Sequence, residues 1–352
     1  MHPKKNIKPN GKIRVGVSIG DYNGIGLEVI IKTFSDARMM DVCTPVVYGN
    51  LNLIKAYKKS LNVSDFNFFA IKDASQANPK KANLVEVWED ECVITFGEST
   101  PDAGKKSFLS LEAATKDLAS NKIDVLVTGP INKNNIQSED FSFPGHTEYL
   151  ANYANEDYPL MILTHGDLRV GTITGHIAIK DVASQITEEI ILKKIEVLHK
   201  TLQQDFSISH PKIAVLGLNP HSGDNGTIGS EEKEIIIPAL KKAEKKGTLI
   251  FGPFAADGFF GSPGYKNFDG ILAMYHDQGL TPFKTISFDE GVNFTAGLPI
   301  VRTSPDHGTA YDIAGEGIAS ASSFRNAVFS AIDIFKNRKL NKTLVENAMT
   351  KA

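Results

Sequence analysis

The 352-residue chain is poor in cysteine, with two, and in tryptophan, with one, and it is close to electroneutral, at −3 with histidine uncharged. Two thiols cannot build a disulfide framework. Cys43 and Cys92 each adjoin an apolar run, so both are expected to be buried, reduced thiols of a cytoplasmic protein. The 38 basic and 41 acidic residues leave no electrostatic footprint for nucleic acid. The densest cationic stretch, Lys241-Lys242 with Lys245-Lys246, contains Glu244 and reads as a solvated helix face. No apolar run is long enough to span a membrane, and the one after the basic start Met1–Gly11 is too short for a signal peptide, so that start reads as a frayed tail. Also missing are H-E-x-x-H, C-x-x-C and G-x-G-x-x-G, which removes the close-spaced zinc motifs and the Rossmann dinucleotide fingerprint.

With 41% apolar and 22% charged residues the chain is an ordinary globular one, and its length calls for two subdomains. Its chemistry gathers where predicted strands end. In Asp269-Gly-Ile-Leu-Ala-Met-Tyr-His-Asp-Gln-Gly-Leu-Thr-Pro-Phe-Lys284 an apolar strand over Gly270–Tyr275 stops at His276, with Asp277, Gln278 and Lys284 beyond it. Arg169-Val-Gly-Thr-Ile-Thr-Gly-His176 is a second such run, and Lys212–His221 a third. Strands apolar throughout are covered on both faces, so ligands of open α/β sheets bind at their carboxyl ends. A lone histidine is more often a satisfied loop residue; three at strand ends suit a divalent metal with an open position.

Lys12–Ile19 is expected as the first strand, followed by the turn Gly20-Asp-Tyr-Asn-Gly-Ile-Gly26 and a helix over Leu27–Met39. That turn suits either an anion on exposed helix amides or merely a tight bend. Further strands are expected at Thr44–Tyr48, Leu84–Val87 and from Asp124 to Thr128, and helices at Ile54–Ser60, Lys105–Lys122 and Thr187–Asp205. The strand from Asp124 must stop at Pro130, which places Lys133 at another carboxyl end, as a carboxylate partner, an acid–base group or a surface lysine. His146-Thr147 opens a helix with Thr147 as its N-cap, a site for phosphate or carboxylate or simply a capping turn. Pro238 is expected to kink its helix unless that helix begins later, and Gly252–Gly264, which carries Asp257, reads as a mobile aromatic rim around a pocket.

The blocks Gly20–Glu28, Thr128-Gly-Pro, Gly145-His-Thr-Glu148, Leu218-Asn-Pro-His-Ser-Gly223, Met274–Leu280, Gly291–Pro299, Arg302-Thr-Ser and Asp306–Ala319 together resemble the 4-hydroxythreonine-4-phosphate dehydrogenase family of pyridoxal phosphate biosynthesis. The likeness runs from about residue 12 to about 335, with Tyr22-Asn23 as a local departure. His307–Gly315 also resembles the nucleotide loop of isopropylmalate and isocitrate dehydrogenases, which bind NAD without a Rossmann fingerprint.

The resemblance implies two α/β/α subdomains of the isocitrate/isopropylmalate dehydrogenase type with the active site in the cleft between them, here 1–130 with 300–352, and 131–299. It implies a divalent metal on His176, His221 and His276, zinc first and magnesium or cobalt as alternatives. Substrate contacts are implied at His146, Thr147, Lys284, Asn293 and Arg302, and NAD or NADP contacts at His307, Gly308 and Asp312. The implied reaction oxidises 4-phosphohydroxy-L-threonine to a β-keto acid that decarboxylates to 3-amino-2-oxopropyl phosphate, with Asp277, Asp257 and Lys133 as candidate proton acceptors. The runner-up substrates are 4-phosphoerythronate and 4-phosphothreonate; a metal-dependent hydrolase is the rival activity and a non-catalytic phosphometabolite binder a third reading. A homodimer is implied, with His176 and His221 from one subunit meeting His276 of the other, and neither nucleic acid nor membrane is an expected partner.

Overall fold

The computed structural model describes residues 11–349, so the expected frayed start lies, Gly11 aside, outside the described residues. Two compact units are present. One comprises the chain up to Ile131 with Thr309–Ala321, the other Asn132–Gly308 with the chain from Ser322. Residues 300–308 and 322–349, expected with the first unit, therefore belong to the second. The reason is pairing: the strand Arg302–Pro305 lies antiparallel to Val292–Ala296, and the helix Ser322–Met349 packs on both.

In the first unit β1 (Arg14–Ser18), β2 (Thr44–Gly49), β3 (Phe69–Ile71), β4 (Asn83–Glu86) and β5 (Val125–Thr128) form a parallel sheet in the order β3-β4-β2-β1-β5. Every residue of β2 and β5 is buried, as parallel strands covered on both faces require. The helix Leu51–Ser60 starts where the Asn50 side chain accepts from the Leu53 amide, and Pro101–Ala119 where Thr100 accepts from Ala103. Cys43 is buried, and that burial pushes its thiol up to about 12. Cys92, expected to be buried, is only half so; its sulfur takes the Trp88 indole N–H at 3.3 Å.

The Gly20–Gly26 turn is a bend filled by protein rather than an anion cradle. The Asn23 amide donates to Asp21 Oδ1, the Gly24 amide to the Asp21 carbonyl and the Ile25 amide to the Thr309 carbonyl. Gly20 has φ +69°. The departure at Tyr22-Asn23 is built in: Tyr22 OH donates to Asp102 Oδ2 at 2.7 Å, and the Asn23 side chain ties Glu98, Thr100 and Thr95 together. Thr309–Ala321 closes over this turn, with Tyr311 OH on Asp21 Oδ2 at 2.8 Å.

The second unit holds β6 (Leu160–His165), β7 (Leu168–Thr172), β8 (Lys212–Leu216), β9 (Leu249–Phe254), β10 (Gly270–Ala273), β11 (Val292–Ala296) and β12 (Arg302–Pro305) in the order β12-β11-β6-β7-β10-β8-β9. Neighbours are antiparallel from β12 to β7 and parallel from β7 to β9. The carboxyl ends of β7, β10 and β8 thus lie side by side at one edge.

Gly252–Gly264 is not a loose rim. β9 runs on through Phe254, the short helix Ala256–Phe260 follows, and Phe259 is buried against Leu216, Ala273 and Phe283, with its ring stacked on Phe254 at 5.0 Å. Large aromatics buried this way stabilise an ordered segment. The helical run is continuous from Glu231 to Lys245, so Pro238 lies inside it, and the π turn over Glu232–Ile236 just before the proline re-spaces the backbone where its N–H is missing.

Candidate active site

Four residues after β7 comes His176, and three after β10 comes His276. The chain leaves these strands as a pair: the Ile173 amide donates to the Ala273 carbonyl, and the Thr174 amide and hydroxyl both donate to the Met274 carbonyl. That parallel exit is why the two imidazoles meet, with ring centroids 5.7 Å apart. Each faces a carboxylate through Nδ1, His276 against Asp277 Oδ1 at 2.6 Å and His176 against Glu148 Oε1 at 3.6 Å. A carboxylate on one nitrogen leaves Nε2 as the donor, the usual arrangement behind metal-bound histidine.

The extension of β8 goes elsewhere. The Gly217 amide donates to the Phe254 carbonyl, and the Gln278 side chain links the Gly217 carbonyl to the Met274 amide, at 2.7 Å each. His221 then stands exposed in a left-handed turn. Among the described residues no group of three His, Cys, Asp or Glu is arranged to hold a metal ion. The donor chemistry of His176 and His276 fits a divalent metal, and one chain by itself gathers two of the three expected ligands.

Next to this pair lies a cationic group. Arg302 opens β12, is 3% exposed, and its Nη1 donates to Thr295 Oγ1 at 3.0 Å. Burial pushes its guanidinium down to about 9, with Glu148 opposing. His146, first residue of the helix His146–Ala154, has its Nε2 buried and without a partner. Burial, then Arg302, then Lys133 drive its pKa well below the ordinary histidine value, so it is neutral at physiological pH. The helix is capped by Gly145 with no side-chain bond; Thr147, expected as the cap, sits inside the first turn with its hydroxyl 3.4 Å from that of Thr295. Burial pushes the Glu148 carboxyl up, but His176, the helix start and Lys133 outweigh it, and the net shift is downward. A desolvated guanidinium, a neutral imidazole and a helix N-terminus suit an anionic ligand.

Lys284 Nζ reaches the Asp306 carbonyl at 3.1 Å and its carboxylate at 3.2 Å. Asn293 on β11 keeps a buried, unpartnered Oδ1. His307 likewise keeps a buried, unpartnered Nε2, its Nδ1 lying 3.0 Å from the Gly308 carbonyl. Asp312 is exposed, and Gly308 has open space where a Cβ would stand. Of the candidate proton acceptors, Asp277 is engaged by His276, and Lys133 is exposed yet close enough to shift His146 and Glu148. Asp257 stands exposed on its short helix, apart from these contacts.

Sequence reasoning did not single out Glu148, although it directly follows His146-Thr147, nor Asp306 or Glu232. It also missed Lys194, which lines a cavity of about 230 Å³ with Thr147, Glu148, Thr172 and His176. Lys194 donates to the Pro159 carbonyl, and burial pushes its amine down to about 8, against a weaker opposing pull from Glu148. A depressed lysine favours the neutral amine in the folded state. The cost of the buried charge is therefore present below pH 8 and is relieved as pH rises from there towards the ordinary 10.5. Wild type should gain roughly 3 kcal/mol across this window relative to Lys194→Met. Urea midpoints at pH 7, 9 and 10.5 measure it; parallel curves for the two proteins would refute the buried-amine assignment.

The family profile described as "Pyridoxal phosphate biosynthetic protein PdxA" matches residues 41–331. A 4-hydroxythreonine-4-phosphate dehydrogenase from Bacteroides thetaiotaomicron is 52% identical over 341 residues, covering 97% of this chain and 93% of its own. The crystal structure of the Klebsiella pneumoniae 4-hydroxythreonine-4-phosphate dehydrogenase superposes with a TM-score of 0.80 at 32% identity, covering 92% of this chain and 98% of that one. An isocitrate dehydrogenase from Methylococcus capsulatus, at 12% identity and a TM-score of 0.50 over 93% of this chain and 87% of its own, shares the fold.

Proposed function

Since the chain belongs to the pyridoxal phosphate biosynthetic protein PdxA family, we propose that it is a metal- and NAD(P)+-dependent dehydrogenase of 4-phosphohydroxy-L-threonine. The observation that carries this reading is the juxtaposition, through Glu148, of the His176–His276 pair with the cations Arg302 and Lys133 and the neutral His146. One end of that arrangement suits a hydroxyl to be oxidised; the other suits the anionic groups of the substrate.

Arg302, Lys284 and Asn293 hold the phosphate: the guanidinium forks onto two oxygens, the ammonium adds charge and the amide adds hydrogen bonding. His146, held neutral, hydrogen-bonds the substrate without competing with it for charge, and Thr147 orients it from the first helical turn. A nicotinamide cofactor, when bound, would accept hydride from the carbinol carbon, and Lys133, whose charge acts on Glu148 and His146, would be the candidate to receive the hydroxyl proton. The resulting β-keto acid loses CO2, and the electron pair released enters the ketone as an enol that is then protonated. A divalent metal on the histidines, when bound, lowers the hydroxyl pKa and polarises the ketone. His307, whose Nδ1–H meets the Gly308 carbonyl, offers its buried unpartnered Nε2 as an acceptor for NAD or NADP, with Gly308 and Asp312 following it in sequence.

The test combines protein, divalent metal, either nicotinamide cofactor and 4-phosphohydroxy-L-threonine. Reduced cofactor should accumulate, and a chelator should stop it. Reduction only with 4-phosphoerythronate or 4-phosphothreonate would move the substrate to a phosphorylated sugar acid. Release of phosphate without cofactor would make the protein a hydrolase, and binding without turnover would make it a phosphometabolite carrier.

A further inference from the structure

His221 begins a turn in which five successive residues, His221 to Asn225, have φ of 52°, 53°, 79°, 41° and 57°, and four of the five are not glycine. L-residues visit this region singly, and a run of them persists only where the surroundings over-determine it. One side chain holds the residues that lead into the turn. Glu232 is 3% exposed; its Oε1 accepts from the amides of Leu218 and Asn219 at 2.7 Å each, and its Oε2 from the Asn219 side-chain amide at 2.9 Å. The fit is close enough that a Cβ on Gly223, inside the turn, would come within 2.5 Å of Oε2. Ser222 Oγ, donating to the Pro253 carbonyl at 3.1 Å, fixes the far side.

We infer that Glu232 is a positioning residue for His221, pinning the two residues that lead into the left-handed turn and so setting the direction in which the imidazole leaves the sheet edge. This rests on the reading of His221 as a metal donor. A carboxylate serving stability alone would satisfy these amides equally well beside a relaxed turn, whereas here its bonds end two residues before a left-handed run and its Oε2 packs against Gly223 inside that run.

The experiment uses Glu232→Gln, which keeps the shape but turns an N–H against an N–H donor whichever oxygen it replaces. Gly223→Ala is the second variant, since its methyl displaces the carboxylate. Cobalt(II) affinity by chelator competition, the optical spectrum of bound cobalt, NAD+ affinity and thermal midpoint are measured on each purified protein. Cobalt affinity should fall roughly 10- to 100-fold in both variants with an altered spectrum, while NAD+ affinity is unchanged. Wild-type cobalt affinity and spectrum in both variants, with a loss in His221→Ala, would overturn the positioning role and leave the metal reading standing. Wild-type cobalt binding in His221→Ala would remove the reading itself and this inference with it. Cobalt and NAD+ affinities falling together with the thermal midpoint would make Glu232 a purely structural residue.

Discussion

Co-expressed His176→Ala and His221→Ala chains, each inactive alone, should recover roughly a quarter of wild-type activity if the enzyme is a homodimer with a shared site. Sequence resemblance alone divides the ligands as His176 with His221 against His276. The paired exit of β7 and β10 brings the two rings within 5.7 Å in one chain, so the recovery expected here is that of a division with His176 and His276 on one chain and His221 on a second copy. Random pairing makes about half the dimers mixed. In a mixed dimer one site then carries both lesions and the other none. Co-expressed His176→Ala and His276→Ala chains should stay inactive, because every site they form lacks a ligand. The opposite pattern would restore the division implied by resemblance, and recovery in neither mixture from verified heterodimers would place all three ligands on one chain.

Arg302→Lys should weaken substrate binding roughly 100-fold, about 2–3 kcal/mol, while NAD+ affinity changes by less than about threefold. The ammonium loses the planar fork that pairs with two phosphate oxygens. It also inherits a site that pushes a guanidinium from 12.5 down to about 9. A lysine starts from a lower value, so the same desolvation would leave it more readily neutral than the guanidinium. Substrate should accordingly lose more affinity between pH 6.5 and pH 8 in the variant than in wild type. Isothermal titration with substrate and with NAD+ at the two pH values reads both effects. Equal weakening of the two ligands, or the same pH dependence in the variant as in wild type, would assign Arg302 to structure instead.

The sequence by itself determined most of the α/β alternation and the placing of His176, His221 and His276 just past strand ends, because buried parallel strands must be apolar throughout and polar residues can follow only where the backbone leaves the sheet. It also held the family, in blocks such as His307–Gly315 whose residues are adjacent in the chain. Tertiary structure decided the rest. That β7 neighbours β10, and so brings His176 to His276, depends on pairing between strands about a hundred residues apart, which local periodicity does not encode. The order of Gly252–Gly264 came from rings packing on a distant core, so aromatic content that reads as a loose rim in sequence is a buried cluster in space. Arg302, Glu148 and Glu232 show the same division. Their identities are plain in the chain, but their charge states and bonds arise from burial and from partners elsewhere in the fold, because desolvation is a property of the assembled interior and not of the residue.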